Sequence, residues 1–259
     1  MIPINQSKLI RSLRRKKYRD HYGIYQVEGE KMIGEFLEGN SGRDHQVQAL
    51  FATQEFIVRN RDLLHGLEDK VREATPSELK KVSNLVTPPQ VMALISQPDR
   101  NPNPENLLST TVLAFESIRD PGNLGTIIRT ADWFGINHIV CTPDSVDVFN
   151  PKVVQATMGA ISRVSVYYLD FEHLLSKSAM REKVVYGTYL KGDSIYEKSL
   201  DKNPWILFGN ESQGLSERYA PFIQHRITIP SYSGYRIGTE SLNLASSVAI
   251  VCSELQRIS

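Results

Sequence analysis

The second half of the chain alternates short apolar runs with segments of helical periodicity. A near-continuous apolar run predicts a buried strand, and apolar residues recurring every three to four positions predict a helix. The predicted strands are 111–115, 138–142, 164–169, 184–189, 205–208 and 226–229; the predicted helices are 124–134, 151–158, 171–179 and a C-terminal one with Ala245, Val248, Ala249, Cys252 and Leu255 on one face. Apolar strands alternating with helices indicate a parallel sheet that is buried on both faces.

The first half reads as a smaller α/β layer and carries no recognisable catalytic motif. We expect helices at 31–37 and 77–82, the second capped by Ser77, a strand at 47–52 and a short apolar segment at 91–95. The stretch 96–106 contains three prolines and three asparagines, a composition that opposes both helix and central strand. The sequence therefore predicts two domains, 1–100 and 108–259, joined by a linker at 101–107.

Composition changes this picture little. Hydrophobic residues make up 41% of the 259 positions and charged residues 23%, as in ordinary soluble globular proteins. No apolar run approaches the roughly 20 residues of a membrane helix, and the N-terminus has no signal-peptide core, so we expect a cytoplasmic protein without a membrane partner. Cys141 and Cys252 are expected to be buried thiols, and no Cys/His spacing indicates a metal.

Charge is concentrated near the N-terminus. Seven cations without an acid among them suit nucleic-acid phosphates, although such a run is commonly a solvated helix face. They are Lys8, Arg11, Arg14, Arg15, Lys16, Lys17 and Arg19. Four rings that follow, Tyr18, His21, Tyr22 and Tyr25, could stack on bases. Nucleic-acid binding is the favoured interpretation.

Three segments of the second half follow predicted strands or precede predicted helices. They are 123–129, 209–215, and 229–230 together with 241–243. Ligands of parallel sheets bind beyond the carboxyl ends of the strands, so these segments predict a pocket there, with Arg129, Glu211 and Asn243 as polar contributions.

Each segment also has a purely structural explanation. Asn123 is expected to cap the helix 124–134, with Arg129 about 1.7 turns further along, and Ser241 to cap the C-terminal helix. Glu211 could be a solvated turn acid. Asp144 and Asp147 are interpreted as loop acids, and Trp133 and Trp205 as core residues.

In order and spacing the three segments resemble the motifs of the SpoU (TrmH) family of RNA ribose 2′-O-methyltransferases, over about residues 110–256. Segments 150–154 and 158–160 also resemble the family between its first two motifs. The first half, mainly 18–20 and 27–29, is similar to the ribosomal-protein-like RNA-binding domain often fused ahead of such catalytic domains.

The resemblance implies the SPOUT fold class: an α/β, trefoil-knotted, mostly parallel sheet with helices on both faces, preceded by a small α/β RNA-binding domain. It implies a homodimer and S-adenosylmethionine without a metal. The residues that match functional positions are Arg129, Asn123, Glu211, Asn243 and Ser241 for catalysis, and the backbone around Thr188, Gly209, Ile229 and Leu242 for the cofactor.

The implied activity is methyl transfer to a ribose 2′-hydroxyl of structured RNA. Ribosomal RNA is the favoured substrate and transfer RNA the alternative. A non-catalytic RNA-binding protein that retains the fold is a second class. An oxidoreductase is a third, but residues 120–129 lack the required G-x-G-x-x-G pattern. Two departures from the family pattern are a lengthened loop at 231–240, containing Tyr235 and Arg236, and Gln155 where the family often has arginine.

Overall fold

The computed structural model describes residues 1–38, 45–99, 101–102, 104–177, 180, 182–197, 199–232 and 241–257. The helices are α1 (Ile4–Ser12), α2 (Lys16–Tyr22), α3 (Glu30–Glu38), α4 (Gln54–Arg59), α5 (Pro76–Val82), α6 (Pro104–Ser109), α7 (Pro121–Trp133), α8 (Pro151–Thr157), α9 (Phe171–Leu175) and α10 (Leu244–Arg257). The strands are β1 (Ile24–Glu28), β2 (Val47–Ala52), β3 (Val71–Glu73), β4 (Val91–Ser96), β5 (Val112–Phe115), β6 (His138–Cys141), β7 (Ser165–Tyr168), β8 (Val185–Ser194), β9 (Trp205–Phe208) and β10 (His225–Thr228).

The chain forms two compact units. One unites residues 1–99 with 147–163, and the other unites 100–146 with 164–259. The domain limits 1–100, 101–107 and 108–259 stay a prediction. The argument that the composition of 96–106 opposes a helix fails in part, because α6 occupies 104–109. Proline is tolerated at the first turn of a helix, where its missing N–H costs nothing. In the described part of the chain, no helix is long and apolar enough to cross a membrane.

The N-terminal unit is built on a mixed sheet in the order β1-β4-β2-β3. β4 is antiparallel to both of its neighbours, while β2 and β3 are parallel. Residues of α1, α5, β2 and β4 form its core, including Ile10, Leu79 and Phe51. Helix α5 begins with a capping box in which Thr75 and Glu78 bond reciprocally, so Thr75 rather than the predicted Ser77 is the cap.

Segment 147–163 joins this unit through a buried ion pair. The guanidinium of Arg19, which is 2% exposed, donates from Nε and one Nη to Asp147 Oδ2 at 3.1 and 2.5 Å. Its other Nη donates to the carbonyl of Leu13 at 2.8 Å. The prediction that Arg19 binds RNA is therefore wrong, since its side chain is buried. Asp147 lies in a loop, as predicted, and its carboxylate is buried against Arg19.

Replacing Arg19 with alanine should lower the free energy of unfolding by about 3 kcal/mol or more, because it removes the cation that faces a buried carboxylate. Arg15→Ala is the matched control, since the Arg15 side chain is exposed and its loss should change stability by about 0.5 kcal/mol or less. Urea unfolding followed by circular dichroism measures both variants. Equal midpoints for the two would contradict the structural role of Arg19.

The burial of the other N-terminal side chains can be compared with their predicted roles in RNA binding. The other six cations of the cluster are exposed, with Arg14 bonded to Asn84 and Ser83. Tyr25, in contrast, is fully buried and stacks on Phe149 at a centroid distance of 4.4 Å. Its expected role in base stacking is wrong. RNA contact by the exposed cations stays a prediction.

The C-terminal unit contains a sheet in the order β10-β8-β9-β5-β6-β7, and each pairing of these strands is parallel. Central strands β5 and β9 are buried at every position, as their continuous apolar runs predict. In register, Phe115 pairs with Phe208, and Leu207 with Gly187. The carboxyl ends of β5 and β9 and the middle of β8 therefore lie at the same edge of the sheet. The predicted ligand segments begin at this edge.

Several details differ from the sequence prediction. Trp205 is fully buried, but Trp133, expected in the core, is 84% exposed at the end of α7. Helix α9 ends at Leu175, before the predicted end at 179. Cys141 and Cys252 are buried as predicted, and burial raises the pKa of Cys252 to about 12, so this thiol stays protonated at neutral pH.

Candidate active site at the carboxyl edge of the parallel sheet

The first part of the site is the N-terminal turn of α7. Asp120 is its N-cap, accepting from Asn123 N at 2.8 Å, and Pro121 occupies the first turn. Asn123, predicted as the cap, therefore lies inside the first turn, because Asp120 supplies the capping oxygen three residues earlier. The side chain of Asn123 is left available for partners outside the helix.

The loop that follows β9 forms the second part. Asn210 and Gly214 exchange backbone hydrogen bonds at 3.0 and 2.9 Å, which closes a tight turn around Glu211. Asn210 Oδ1 accepts from Ser212 N and Gln213 N, and Asn210 Nδ2 donates to Ser117 O at 2.8 Å. A side chain at Gly209 would place Cβ 2.1 Å from the backbone carbon of Gly214, so only glycine fits there.

The N-terminus of α10 is the third part. Asn243 Oδ1 accepts from Ala245 N at 2.9 Å and from Ser246 N at 3.3 Å, so Asn243 caps the helix. The prediction that Ser241 caps it and that Asn243 lies within the first turn is wrong, since α10 begins only at Leu244. Ser241 is exposed two residues before the cap.

A chain of hydrogen bonds connects the three parts. Asn243 Nδ2 donates to Asn123 Oδ1 at 2.9 Å, and Asn123 Nδ2 donates to Glu211 Oε1 at 3.1 Å. The first turn of α10 fixes the orientation of both amides. Because backbone N–H groups occupy Asn243 Oδ1, Asn243 must face Asn123 with its Nδ2, which donates. Asn123 therefore accepts with Oδ1 and turns its own Nδ2 to Glu211, to which it donates. The chain ends on a carboxylate that is exposed to solvent.

Arg129 does not belong to this hydrogen-bond chain. It lies on α7 six residues beyond Asn123, about 9 Å along the axis, and its side chain is exposed. Among the described residues, no hydrogen bond or ion pair joins Arg129 to Asn123, Glu211 or Asn243. The structure thus assembles three of the predicted catalytic residues and leaves Arg129 on the neighbouring surface of the same helix.

Two of the residues predicted to hold a cofactor directly follow strands, a third lies within β8, and the fourth precedes α10. Thr188 is half-buried in β8, and its hydroxyl donates to Leu207 O at 3.0 Å. Gly209 directly follows β9, and Ile229 directly follows β10. Leu242 is 50% exposed. Of the lengthened loop, 233–240 with Tyr235 and Arg236 lies outside the described residues.

Two residues that hold the site together were missed by the sequence analysis. Glu116, directly after β5 and 5% exposed, accepts from Ser216 N at 2.8 Å and from the Ser216 hydroxyl, with Arg218 at 3.3 Å. Ser117 has φ 52°, a strained value for a residue other than glycine. The signal was present: an acid directly after a buried strand singled out Glu211, and the same reasoning applies to Glu116.

Asp144 belongs to a neighbouring turn at this edge. Its carboxylate accepts from the hydroxyls of Ser117 and Thr142, each at 2.6 Å, and pairs with Arg119 at 2.9 Å. These hydrogen bonds, that of Ser117 first, lower the pKa of Asp144. The described residues contain no group of three or more His, Cys, Asp or Glu side chains that could hold a metal ion.

A parallel sheet with polar loops gathered at its carboxyl edge defines an α/β ligand-binding protein. Residues 110–253 match the model of the SpoU rRNA Methylase family, and residues 5–93 match that of the MRM3-like substrate binding domain. The chain belongs to the SpoU rRNA methylase family.

Relatives match over nearly the whole length. The chain is 27% identical to the 23S rRNA (guanosine(2553)-2′-O)-methyltransferase RlmP of Bacillus subtilis, over 95% of this chain and 94% of that protein. A TrmH-family protein of Porphyromonas gingivalis shares its structure with a TM-score of 0.84 at 36% identity, covering both chains fully. An AdoMet-bound rRNA methyltransferase of Sinorhizobium meliloti has a TM-score of 0.81 at 26% identity, over 99% of this chain and 97% of that one.

These matches confirm the family and the fold class predicted from the three segments. The mostly parallel sheet with its helices is that of SPOUT methyltransferases, and a substrate-binding domain precedes it. The chain is a member of an enzyme family, as the resemblance implied. The roles of individual residues stay predictions.

Proposed function

We propose that this protein transfers a methyl group from S-adenosylmethionine to a ribose 2′-hydroxyl of ribosomal RNA. The observation that carries the proposal is the hydrogen-bonded assembly of Asn123, Glu211 and Asn243 beyond the carboxyl ends of β5 and β9. Support comes from the B. subtilis relative, which acts on a guanosine of 23S rRNA, and from the AdoMet-bound S. meliloti structure.

The residues present suit this cofactor. Backbone N–H and C=O groups around Thr188, Gly209, Ile229 and Leu242 would hold its polar parts. Leu242, which is 50% exposed, and the partly buried Ile229 offer apolar surface for an adenine ring. When bound, S-adenosylmethionine supplies a methyl group that is already activated as a sulfonium, so the protein needs mainly to position the attacking hydroxyl.

Arg129 and Glu211 have different proposed roles: Arg129 binds the target nucleotide, and Glu211 accepts the proton. A guanidinium stays protonated in proteins, so Arg129 serves to grip the phosphate and ribose of the target nucleotide rather than to remove a proton. Glu211 is exposed and accepts from Asn123 at 3.1 Å and from Asn210 at 3.5 Å, which fixes its position while leaving acceptor capacity for the 2′-hydroxyl proton. Asn243 fixes Asn123, and Ser241 is exposed two residues before Asn243.

Transfer RNA is the alternative substrate, and a relative from Synechocystis that matches 96% of this chain is described as a tRNA/rRNA methyltransferase. Ribosomal RNA is favoured because the B. subtilis and Streptomyces viridochromogenes relatives act on 23S rRNA. A non-catalytic RNA-binding protein would have no need of the Asn123–Glu211–Asn243 assembly. We place the activity in the cytoplasm, in keeping with two buried, unpaired thiols.

Two measurements test the proposed function. Calorimetry should detect S-adenosylmethionine binding, and cells lacking the protein should lack one 2′-O-methyl site in ribosomal RNA that the purified protein restores. Binding without any restored site in ribosomal or transfer RNA would favour the non-catalytic alternative, and absence of cofactor binding would exclude methyl transfer.

The exposed face of α7 supports a homodimer. Thr126, Arg129 and Trp133 are exposed and spaced three and four residues apart, so they share one face of the helix. A tryptophan that is 84% exposed is a large apolar surface for a lone chain and marks a contact site. A second copy seated on Trp133 would lie beside Arg129 and would enclose the surface on which Arg129 is exposed.

Trp133→Glu should therefore weaken dimerisation about thirtyfold or more, because a buried tryptophan at an interface commonly contributes about 2 kcal/mol or more. Analytical ultracentrifugation over a dilution series measures the dissociation constant. Val58→Glu, at a 49%-exposed position of α4, is the control for adding one exposed carboxylate. A monomeric wild type, or a dimer that the two substitutions affect equally, would count against this face.

A further inference from the structure

The loop between α5 and β4 presents an apolar side chain to solvent on a fixed base. Val86 is fully exposed at its tip. At the base, Glu28, which is 5% exposed, accepts from Asn84 N at 2.9 Å, from Asn84 Nδ2 at 2.8 Å and from the Ser83 hydroxyl. A buried carboxylate with three donors from one loop is a strong anchor, so the exposed valine is held in place rather than left to collapse.

The surroundings of this tip are cationic. Arg14 donates to Asn84 Oδ1 and to Ser83 O, both at 2.9 Å, and so brings the turn after α1 against the loop. Lys80 and Lys81, both exposed, occupy the last turn of α5 directly before it. Neither sequence segment involved, 1–19 or 79–98, contains an acidic residue. We name Arg14, Lys80, Lys81, Leu85 and Val86 the Val86 surface.

We propose that the Val86 surface docks an unpaired segment of ribosomal RNA. Val86 packs against the face of an unstacked base, and the three cations lie on the flanking phosphates. This inference rests on the proposed function and adds to it the part of the substrate that is recognised.

Charge and shape both favour this occupant. A polyanion complements a surface whose two contributing segments lack acids, and an apolar tip on a loop that Arg14 contacts and that follows Lys80 and Lys81 matches a base with its flanking phosphates. In a duplex the base faces are stacked on each other and are closed to a side chain, so the docked segment must be a loop, bulge or single strand. The anchored loop also lowers the entropy lost on binding.

The apolar part of the proposal is tested with Val86→Ala. Filter binding to protein-free ribosomal RNA from the cells that make the protein should show about fifteenfold weaker affinity, since two buried methyl groups are lost. The dependence of affinity on salt should not change. Val58→Ala, the matched exposed valine of α4, should bind like the wild type. Equal affinities for the two variants would overturn the proposal.

The cationic part is tested with Lys81→Ala. Each lysine on a single-strand phosphate contributes about 0.7 to the slope of log affinity against log salt concentration, so the slope should become shallower by that amount. Lys31→Ala, at an exposed position of α3, removes the same charge and should leave the slope unchanged. An unchanged slope in Lys81→Ala would contradict the proposed phosphate contact.

The outcome is distinguishable from failure of the proposed function. Val86→Ala should bind S-adenosylmethionine as the wild type does, because Val86 belongs to the N-terminal unit and the cofactor residues to the other. A wild type that neither binds the cofactor nor methylates RNA would refute the proposed function while leaving the RNA-binding results readable. A methylating wild type with a Val86→Ala variant equal to Val58→Ala in RNA affinity would refute only the inference.

Discussion

Replacing Gly209 with alanine should abolish cofactor binding and lower the free energy of unfolding by about 3 kcal/mol. The added Cβ would lie 2.1 Å from both Gly214 C and Leu215 N, and these are backbone atoms that a rotamer change cannot move aside. The turn around Glu211 would have to open, breaking the paired hydrogen bonds between Asn210 and Gly214. Urea unfolding measures the stability change, and calorimetry with S-adenosylmethionine measures the binding.

The matched control for this variant is Gly34→Ala. Gly34 lies inside α3, and nothing lies within 4 Å of the position that an added methyl group would take. Alanine there should stabilise the protein by up to about 1 kcal/mol, because glycine is the poorer helix former. If Gly209→Ala unfolded at the wild-type urea midpoint and bound the cofactor normally, these results would contradict the close packing of the loop.

Arg129→Ala should reduce the rate of methyl transfer by a factor on the order of 100 to 1,000 while leaving cofactor affinity and stability close to wild type. Misplacing a reacting group by about 1 Å already costs about 100-fold, and Arg129 is proposed to hold the target ribose and phosphate. The side chain is exposed, so its removal leaves no cavity. Single-turnover rates with saturating RNA and cofactor measure the effect.

Two further variants sharpen this prediction. Arg129→Lys keeps the charge but loses the planar fork, so it should recover only part of the rate. Lys202→Ala, at an exposed position before β9, should keep full activity. Arg129→Ala turning over within about threefold of wild type would remove the arginine from the reaction.

The pH–rate profile separates Arg129 from Glu211. If Glu211 accepts the hydroxyl proton, Glu211→Gln should lose the acidic limb of the profile, whereas Arg129→Ala should lower the rate at every pH. An unchanged profile in Glu211→Gln would remove the glutamate from proton transfer and leave it the role of a partner for Asn123.

The sequence predicted the strands of the C-terminal unit well, because strands buried on both faces leave continuous apolar runs such as 112–115 and 205–208. It misplaced the helix caps because capping residues occur in pairs. Asp120 and Asn123 both suit the start of α7, and Ser241 and Asn243 both suit the start of α10. Only the backbone geometry decides between them.

Contacts between distant positions were beyond the sequence. In sequence, Arg19 resembles the six other cations of its cluster, but its partner Asp147 lies 128 positions later. Trp133 is predicted in the core because tryptophan is usually buried, whereas helix α7 presents that position to solvent. The family resemblance predicted the site residues because each motif is only a few residues long, but the hydrogen bonds that connect Asn123, Glu211 and Asn243 depend on the fold.

The hydrogen-bond chain from α10 through Asn123 to Glu211 has a consequence for the order of synthesis. Its two links span 88 and 120 positions of sequence. While the chain emerges from the ribosome, Asn123 and Glu211 can meet before Asn243 exists, but the amide of Asn123 has its orientation fixed only when α10 arrives. We therefore expect the nascent protein to acquire its sheet first and the fixed orientation of the Asn123 amide last.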